Sequence, residues 1–294
     1  MRNLALMWGL AGCLLGCGGG GDSDSLTWYC GPEKKPHAVK AVLKNGTLTV
    51  RGKGAVRDYM EPHVIVEPWG PPYKEAIKPY RNKYWPPWSF TLEYDSTVSI
   101  TDVVIEKGVT YIGDLAFGRL PGLKSITIPA SVYFIGDEAL GGCKAAWYDT
   151  CAICLISITI ATDNPYYSFE DGILFNKNKT TLIQYLRDEQ QDTYTIPNNV
   201  KIIEDRAFGG CRNLKSVTIP GSVKTIGYIA FAYCKNLTSV TVQNPKPPHL
   251  GADVFKRIDY NPCLYVPESS INAYQLADGW KEFKCIKAIE SAPE

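Results

Sequence analysis

From Val103 onward, hydrophobic and polar positions alternate in a pattern that returns every 23 residues. Copies of the pattern begin at residues 103, 126, 194 and 217, and a more degenerate copy begins at residue 240. Most copies contain a β-branched residue, a threonine and a second β-branched residue in a row, as in Val217-Thr218-Ile219. This alternation predicts a short strand whose threonine faces outward and whose β-branched pair faces a core. A fixed period of roughly 20–29 residues indicates a leucine-rich-type solenoid and not a pair of compact enzyme domains.

Aligning the copies places apolar side chains of one kind in each of four columns. The columns are Ile105, Ile128, Ile196, Ile219 and Val242; Val109, Val132, Val200 and Val223; Ile112, Ile135, Ile203 and Ile226; and Phe117, Leu140, Phe208 and Phe231. One coil cannot bury such a set alone, so neighbouring coils must stack at about the 4.8 Å spacing of adjacent strands. An Ala-Phe pair near the middle of the repeat favours a short helical turn whose ring fills the coil. The predicted fold class is therefore a β-rich solenoid of short strands and short helical turns.

The repeated string IP-x-x-V-x-x-I-x-x-x-AF-x-x-C-x-x-L-x-S-V-T-I resembles the BspA-like leucine-rich repeats of bacterial surface proteins. The resemblance covers roughly residues 26–290, and residues 158–197 are similar to the longer double unit of that family. Within that unit a hairpin is expected between Ile173–Phe175 and Thr181–Tyr185. The C-terminal sequence is similar to the family's closing cap. We therefore predict repeats over residues 103–263 and a C-terminal capping repeat over residues 264–294.

The N-terminus has the pattern of a targeting segment. An apolar run over residues 4–15 follows a basic residue and is too short to span a bilayer. The run ends in Leu-Leu-Gly-Cys, which resembles a bacterial lipobox, and in such signals cleavage precedes a cysteine that is then acylated. We predict a lipoprotein signal peptide over residues 1–16, lipidation at Cys17 and a flexible tether over residues 17–25. Lipidation at Cys13 and cleavage as an ordinary secretory signal are the alternatives, and the anchored protein is expected on the surface of the bacterial outer membrane.

Residues 26–102 are predicted to cap the first coil. The alternation over residues 38–56 about Asn45-Gly46 is typical of a type I′ hairpin, and Trp88 matches a tryptophan of the family's cap. The cap also contains aromatic residues beyond what a cap needs: Trp69, Tyr73, Tyr80, Tyr84 and Trp85. Their rings would suit a sugar or a protein partner, and the alternative is a loop that folds onto its own prolines and tryptophans.

One outward-facing position of the repeat is apolar in three copies. Tyr111, Phe134 and Ile202 precede the buried isoleucine of their coils, and the copy that begins at residue 217 has Thr225 there. Large apolar side chains at an exposed position indicate a binding patch. The alternative is that the N-terminal cap or the insertion at residues 145–157 covers them.

The cysteines favour structure over chemistry. Cys143, Cys211 and Cys234 share a column with a leucine, which is typical of small buried side chains. Cys263 and Cys285 flank strands of successive terminal coils, and a disulfide between adjacent strands meets the distance limits. For Cys151-Ala-Ile-Cys154 a local disulfide or free thiols are favoured over metal or redox chemistry, because no histidine lies between residues 64 and 248.

Charge and motif content argue against nucleic-acid binding and catalysis. The net charge is +1, from 31 basic and 30 acidic residues, so no field steers the chain to nucleic acid. The three histidines have no metal-ligand spacing, and no nucleophile elbow or phosphate loop occurs. We therefore expect no enzyme activity, no cofactor and no metal.

The resemblance to BspA-like proteins implies adhesion to a host matrix or cell-surface protein. From the residues alone, a tethered solenoid offers only a long rigid face. The leading hypothesis is thus a lipid-anchored binding protein that engages protein ligands. The alternative is an accessory glycan-binding surface lipoprotein that uses the aromatic residues of the cap.

Overall fold

The structure is a computed structural model that describes residues 25–59, 86, 88, 99–118, 120, 122–140, 157–186, 191–258 and 261–290. The chain divides into two compact units. The first comprises Met1–Cys143 and Ala161–Asn164, and the second comprises Lys144–Ile160 and Pro165–Glu294. No helix in these ranges is long and apolar enough to cross a membrane.

The first unit is built from eight described strands. They are β1 (Leu26–Tyr29), β2 (Val39–Lys44), β3 (Thr47–Gly52), β4 (Gly54–Val56), β5 (Asp102–Ile105), β6 (Val109–Ile112), β7 (Ser125–Ile128) and β8 (Phe134–Ile135). The predicted hairpin is confirmed, because β2 and β3 pair antiparallel about Asn45 and Gly46, whose φ angles are 51° and 79°. A type I′ turn requires positive φ at both positions. Strand β3 then pairs parallel with β5, so the hairpin joins the sheet of the coils.

Trp88 closes the core of the first unit against the first coil. Its side chain is fully buried and stacks on the Phe117 ring, with 5.6 Å between ring centroids. Its indole N–H donates to the Ala116 carbonyl at 3.1 Å, which satisfies the polar atom that burial removes from water. Trp88 of the N-terminal region therefore packs on the first coil, as a residue of the predicted cap should.

The second unit repeats the same construction with more coils. Its strands are β9 (Ser157–Ile160), β10 (Tyr167–Glu170), β11 (Ile173–Asn176), β12 (Thr181–Tyr185), β13 (Thr193–Thr195), β14 (Ile202–Ile203), β15 (Ser216–Ile219), β16 (Thr225–Ile226), β17 (Ser239–Val242), β18 (His249–Leu250), β19 (Cys263–Val266) and β20 (Cys285–Ala288). Strands β11 and β12 form the expected antiparallel hairpin. Strands β13, β15, β17, β19 and β20 pair parallel in that order, and β12, β14, β16 and β18 form a second parallel row.

The four predicted columns are the core. Every member is buried except Ile135, which is half-buried at the end of the two-residue strand β8. In the β-branched triplets centred on Thr127, Thr218 and Thr241, the threonine is half-buried while both of its neighbours are fully buried. The predicted leucine-rich-repeat fold, with many short parallel strands and few helices, is confirmed.

In the coils that the structure describes, the Ala-Phe segment is a chain of hydrogen-bonded turns and does not extend into a regular helix. The residue before the alanine has positive φ, for example 58° at Arg206 and 46° at Ile229, and this conformation ends a right-handed helical run. Alternate amides also bond outward to the next coil, as Phe208 N does to Ala230 O at 2.8 Å. A helix would turn all of these donors back onto its own chain.

The C-terminal cap replaces the last coil's turns with helical segments. After β19 come a 3-10 helix (Glu268–Ser270), the helix α1 (Ile271–Leu276) and a second 3-10 helix (Trp280–Glu282) before β20. Tyr274 and Trp280 belong to this cap, and their buried side chains pack in the core of the second unit. The structure joins Cys263 and Cys285, which are partners in the β19–β20 register, by a disulfide with a Cα–Cα distance of 4.7 Å.

Candidate binding surface

Two of the predicted binding residues meet on the outer face of the first unit. Strands β4, β6 and β8 pair in parallel there, and Tyr111 lies directly beside Phe134 in the register. Their rings stack with 4.5 Å between centroids and 10° between planes. Parallel in-register pairing at the strand spacing brings equivalent side chains of successive coils into contact, which explains the stack.

The Tyr111–Phe134 stack is asymmetric in exposure. Phe134 is 41% exposed and its neighbour Tyr133 is 52% exposed, whereas Tyr111 is half-buried. Tyr111 is less accessible because Phe134 lies against its ring and its hydroxyl donates to Asp58 Oδ1 at 2.9 Å. Burial, followed by this hydrogen bond to Asp58, raises the pKa of Tyr111 above its ordinary value. Tyr111 is thus a fixed neutral support for the exposed Phe134 ring.

Ile202 belongs to the second unit, where it lies in a different row and pairs on one side with Thr181 of β12. It pairs with Thr225 in β16, which pairs with His249 in β18. Ile202 is 40% exposed, and the same unit exposes 40% of Tyr228, with the Arg206 guanidinium 5.3 Å from the Tyr228 ring centroid. The second unit therefore presents single apolar side chains among polar ones.

Sequence reasoning missed the exposed rings of Tyr133 and Tyr228. Tyr133 occupies an outward position where the other copies have Thr110, Lys201 and Lys224. Tyr228 occupies a column in which the other copies have Asp114, Asp137 and Asp205. An aromatic residue in a polar column was a usable signal in both cases.

Several candidate residues lie outside the described residues. These are the aromatic residues Trp69, Tyr73, Tyr80, Tyr84 and Trp85, the lipidation candidates Cys17 and Cys13, the column cysteine Cys143, and the pair Cys151 and Cys154. Their roles remain predictions.

The acidic column has a structural role in stacking the coils. Asp114 Oδ1 accepts from Asp137 N at 2.9 Å, and Asp205 Oδ1 accepts from Tyr228 N at 2.6 Å. Each carboxylate therefore satisfies an amide of the following coil. Burial and the neighbouring charges of Asp58 and Asp137 raise the pKa of Asp114 above its ordinary value.

Within the described ranges, no three histidine, cysteine or acidic side chains group closely enough to hold a metal ion. The free thiols of Cys30, Cys211 and Cys234 are buried. Burial raises the pKa of Cys30 to about 12, so its thiol is protonated at neutral pH and a poor nucleophile. These features are those of core packing.

The stacked coils, their parallel short strands and the outward-facing rings define a leucine-rich-repeat protein. The family described as the BspA type leucine rich repeat region matches residues 92–169 and 185–276 in six copies. The chain belongs to this family. No curated protein matches it.

Three solved structures are similar to the chain at low identity. A leucine-rich repeat protein from Eubacterium ventriosum is 18% identical, with 90% of this chain and 85% of that chain covered and a TM-score of 0.30. A leucine rich cell surface protein from Faecalibacterium prausnitzii is 22% identical, with 65% and 60% covered and a TM-score of 0.37. The pneumococcal vaccine antigen PcpA is 14% identical, with 87% and 98% covered and a TM-score of 0.34.

Proposed function

We propose that this chain is a lipid-anchored cell-surface binding protein whose outward-facing apolar side chains engage a protein ligand. The observation that supports the proposal is the exposed Phe134 ring, which stacks on the half-buried Tyr111 ring and directly follows the exposed Tyr133 in the chain. Adjacent exposed aromatic rings are typical of interaction sites on protein surfaces. The membership in the BspA type repeat family is consistent with this function.

The stack supplies what an interface anchor needs. Phe134 already has one face covered by Tyr111, so its position is fixed before a ligand arrives. A pre-positioned side chain loses little conformational entropy when a partner covers its other face. The protein contact we propose is therefore centred on Phe134 and Tyr133, with Thr110 of β6, whose carbonyl accepts from Tyr133 N at 2.9 Å, at its rim.

Phe134→Ser tests this contact. The soluble chain of residues 26–294 is first screened against host matrix proteins, cell-surface proteins and a glycan array to identify a ligand. We expect the variant to bind that ligand at least tenfold more weakly, a loss of about 1.4 kcal/mol, by surface plasmon resonance. The melting temperature should change little, because Phe134 is exposed.

Leu26→Ser is the matched control for Phe134→Ser. Leu26 is 42% exposed in the first unit but lies on β1, away from the β4–β6–β8 sheet. It should leave binding unchanged. Equal affinities of the wild type and Phe134→Ser would place the binding face elsewhere. A glycan ligand whose binding is lost in Trp85→Ala and retained in Phe134→Ser would support the alternative glycan-binding function.

The proposed lipid anchor has its own test at Cys17. Acylation of Cys17 supplies two or more chains, and each buried methylene contributes about 0.8 kcal/mol, which gives stable anchoring. Cys17→Ala should release the protein from membranes or leave it unprocessed, as seen by fractionation and by the mass of the mature N-terminus. Cys13→Ala is the control and should be processed normally. Membrane retention of a processed Cys17→Ala protein would argue against the anchor.

A further inference from the structure

A groove of about 520 Å³ lies within the second unit, between the turns of the last coil and the C-terminal cap. The coil side is lined by Leu250, Asp253 and Phe255, and the cap side by Gly279, Glu282 and Phe283. Asp253 is paired with Lys256 at 2.8 Å, so this acid and base largely neutralise each other in the groove. The other charged lining residues are also of both signs, since Asp278 is paired with Lys281 at 2.6 Å and Glu282 is accompanied by Lys284. The groove therefore lacks the concentrated charge of an anion or cation site.

A row of backbone hydrogen bonds joins the turns of successive coils up to this groove. Every second amide of one coil donates to a carbonyl of the next. The bonds are Arg206 N to Tyr228 O, Phe208 N to Ala230 O and Gly210 N to Ala232 O at 2.8–2.9 Å, then Ile229 N to Ala252 O, Phe231 N to Val254 O and Tyr233 N to Lys256 O at 2.9–3.0 Å. All of these donors point toward the C-terminal end of the coil stack.

The next donors in the row are the amides of Asp253, Phe255 and Arg257. Asp253 and Arg257 have φ angles of 56° and 60°, close to those of Ile229 and Tyr233 in the preceding coil. The conformation of the row is therefore preserved at its last coil. In the part of the chain that the structure describes, none of these three amides has a hydrogen-bond acceptor.

The cap closes the apolar layer of the last coil but leaves this backbone row open. The Trp280 and Phe283 rings lie 5.8 and 5.0 Å from Phe255 and end its aromatic stack. The Trp280 indole N–H donates to Pro248 O at 2.8 Å. Pro248 precedes Asp253, Phe255 and Arg257 in the chain, so this hydrogen bond does not involve their amides. Covering a core with side chains removes its apolar surface from water, whereas backbone amides need an acceptor of their own.

We propose that this open edge binds a short segment of a partner polypeptide, which continues the row through its backbone carbonyls. The donors recur at every second residue, which matches a peptide backbone and not the hydroxyls of a sugar. In the two steps of the row that are closed, the central acceptor carbonyl belongs to Ala230 and to Val254. The bound segment therefore carries a small residue at its centre and adopts the turn conformation of a repeat coil. This site is separate from the Tyr133–Phe134 surface and does not depend on it.

Amide hydrogen exchange of the full soluble chain, residues 26–294, tests the open edge directly. The Phe255 amide should exchange much faster than the equivalent Phe231 amide, which is bonded to Val254 O. A Phe255 amide as protected as that of Phe231 would show that the edge is already occupied and would overturn the proposal.

A synthetic peptide tests the occupant. The probe has the sequence of residues 249–257 with two substitutions. Asp253 is replaced by glycine, because glycine tolerates positive φ, and Phe255 is replaced by alanine, because the smaller side chain does not meet Phe283. At about 1 mM, the weak end of measurable affinity, the probe should slow exchange at Phe255 and shift its amide resonance. The all-D peptide should do neither. No response to the probe, or an equal response to its mirror image, overturns the proposal.

Ala252→Trp locates the binding in the groove. Ala252 is an exposed lining residue, so the indole would fill the groove and abolish the effect of the peptide. Ala273→Trp is the matched control, because Ala273 is exposed on α1 outside the groove, and it should respond like the wild type. Peptide binding that survives Ala252→Trp overturns the site. Self-association that Ala252→Trp abolishes would make the occupant a second copy and overturn the assignment to a partner.

Discussion

Phe208→Ala should lower the free energy of unfolding by about 3–5 kcal/mol, the usual loss for a buried aromatic ring cut to a methyl group. Phe208 is fully buried at the centre of the second unit. Its ring stacks on Phe231 and on Tyr185, with centroid separations of 4.7 and 4.9 Å, so its removal leaves a cavity between two rings. Urea denaturation followed by circular dichroism measures the change.

Thr218→Ala is the control for Phe208→Ala. Thr218 lies in the same unit, between two buried residues of β15, but its own side chain is only half-buried and faces outward. The substitution should cost under about 1 kcal/mol, as for most surface changes. Equal losses in the two variants would mean that the inward and outward positions of the repeat are assigned wrongly.

The sequence alone was enough to predict the coils because each column repeats the same physical requirement. The position of Ile219 faces the core in every coil, so a polar residue there would be buried. The position is therefore apolar in every copy. The hairpins were equally readable, since Asn45-Gly46 is one of the few dipeptides that accept positive φ at both positions. Repetition thus converts a weak local signal into a strong one.

The turns between strands were not predictable in the same way. Leu115, Arg206 and Ile229 all adopt positive φ, a conformation that residues with large or β-branched side chains rarely take. The contacts of successive coils impose it, through bonds such as Ile229 N to Ala252 O at 3.0 Å. The local conformational propensity of a residue does not reveal such a tertiary requirement, so the positive φ could not be predicted.

The candidate surfaces also combine features that the sequence predicts with features that only tertiary contacts determine. The exposure of Phe134 and Ile202 could be predicted, because the repeat shows which positions face outward and the sequence gives the side chain at each of them. The partial burial of Tyr111 could not, because it depends on Asp58, which lies far away along the chain. The open amides of Asp253, Phe255 and Arg257 are backbone groups that every sequence has, so only the structure shows them.

The second large effect is expected from the disulfide of the C-terminal cap. Cys263 and Cys285 are 22 residues apart, and the loop that they close contains α1, Tyr274 and Trp280. Closing a loop of this length stabilises a fold by about 2–4 kcal/mol, in large part by restricting the unfolded chain. Cys285→Ser should lower the free energy of unfolding by that amount, measured by urea denaturation without reductant.

Reduction of the wild type should produce the same loss as Cys285→Ser. The double variant Cys263→Ser with Cys285→Ser is the control: its unfolding should be the same with and without dithiothreitol. Sensitivity of the double variant would assign the effect to other cysteines of the chain. The described free cysteines are buried, which favours the terminal pair as the source. A wild type whose unfolding is unchanged by reductant would show that the bond between β19 and β20 contributes little, and that Tyr274 and Trp280 hold the cap by packing alone.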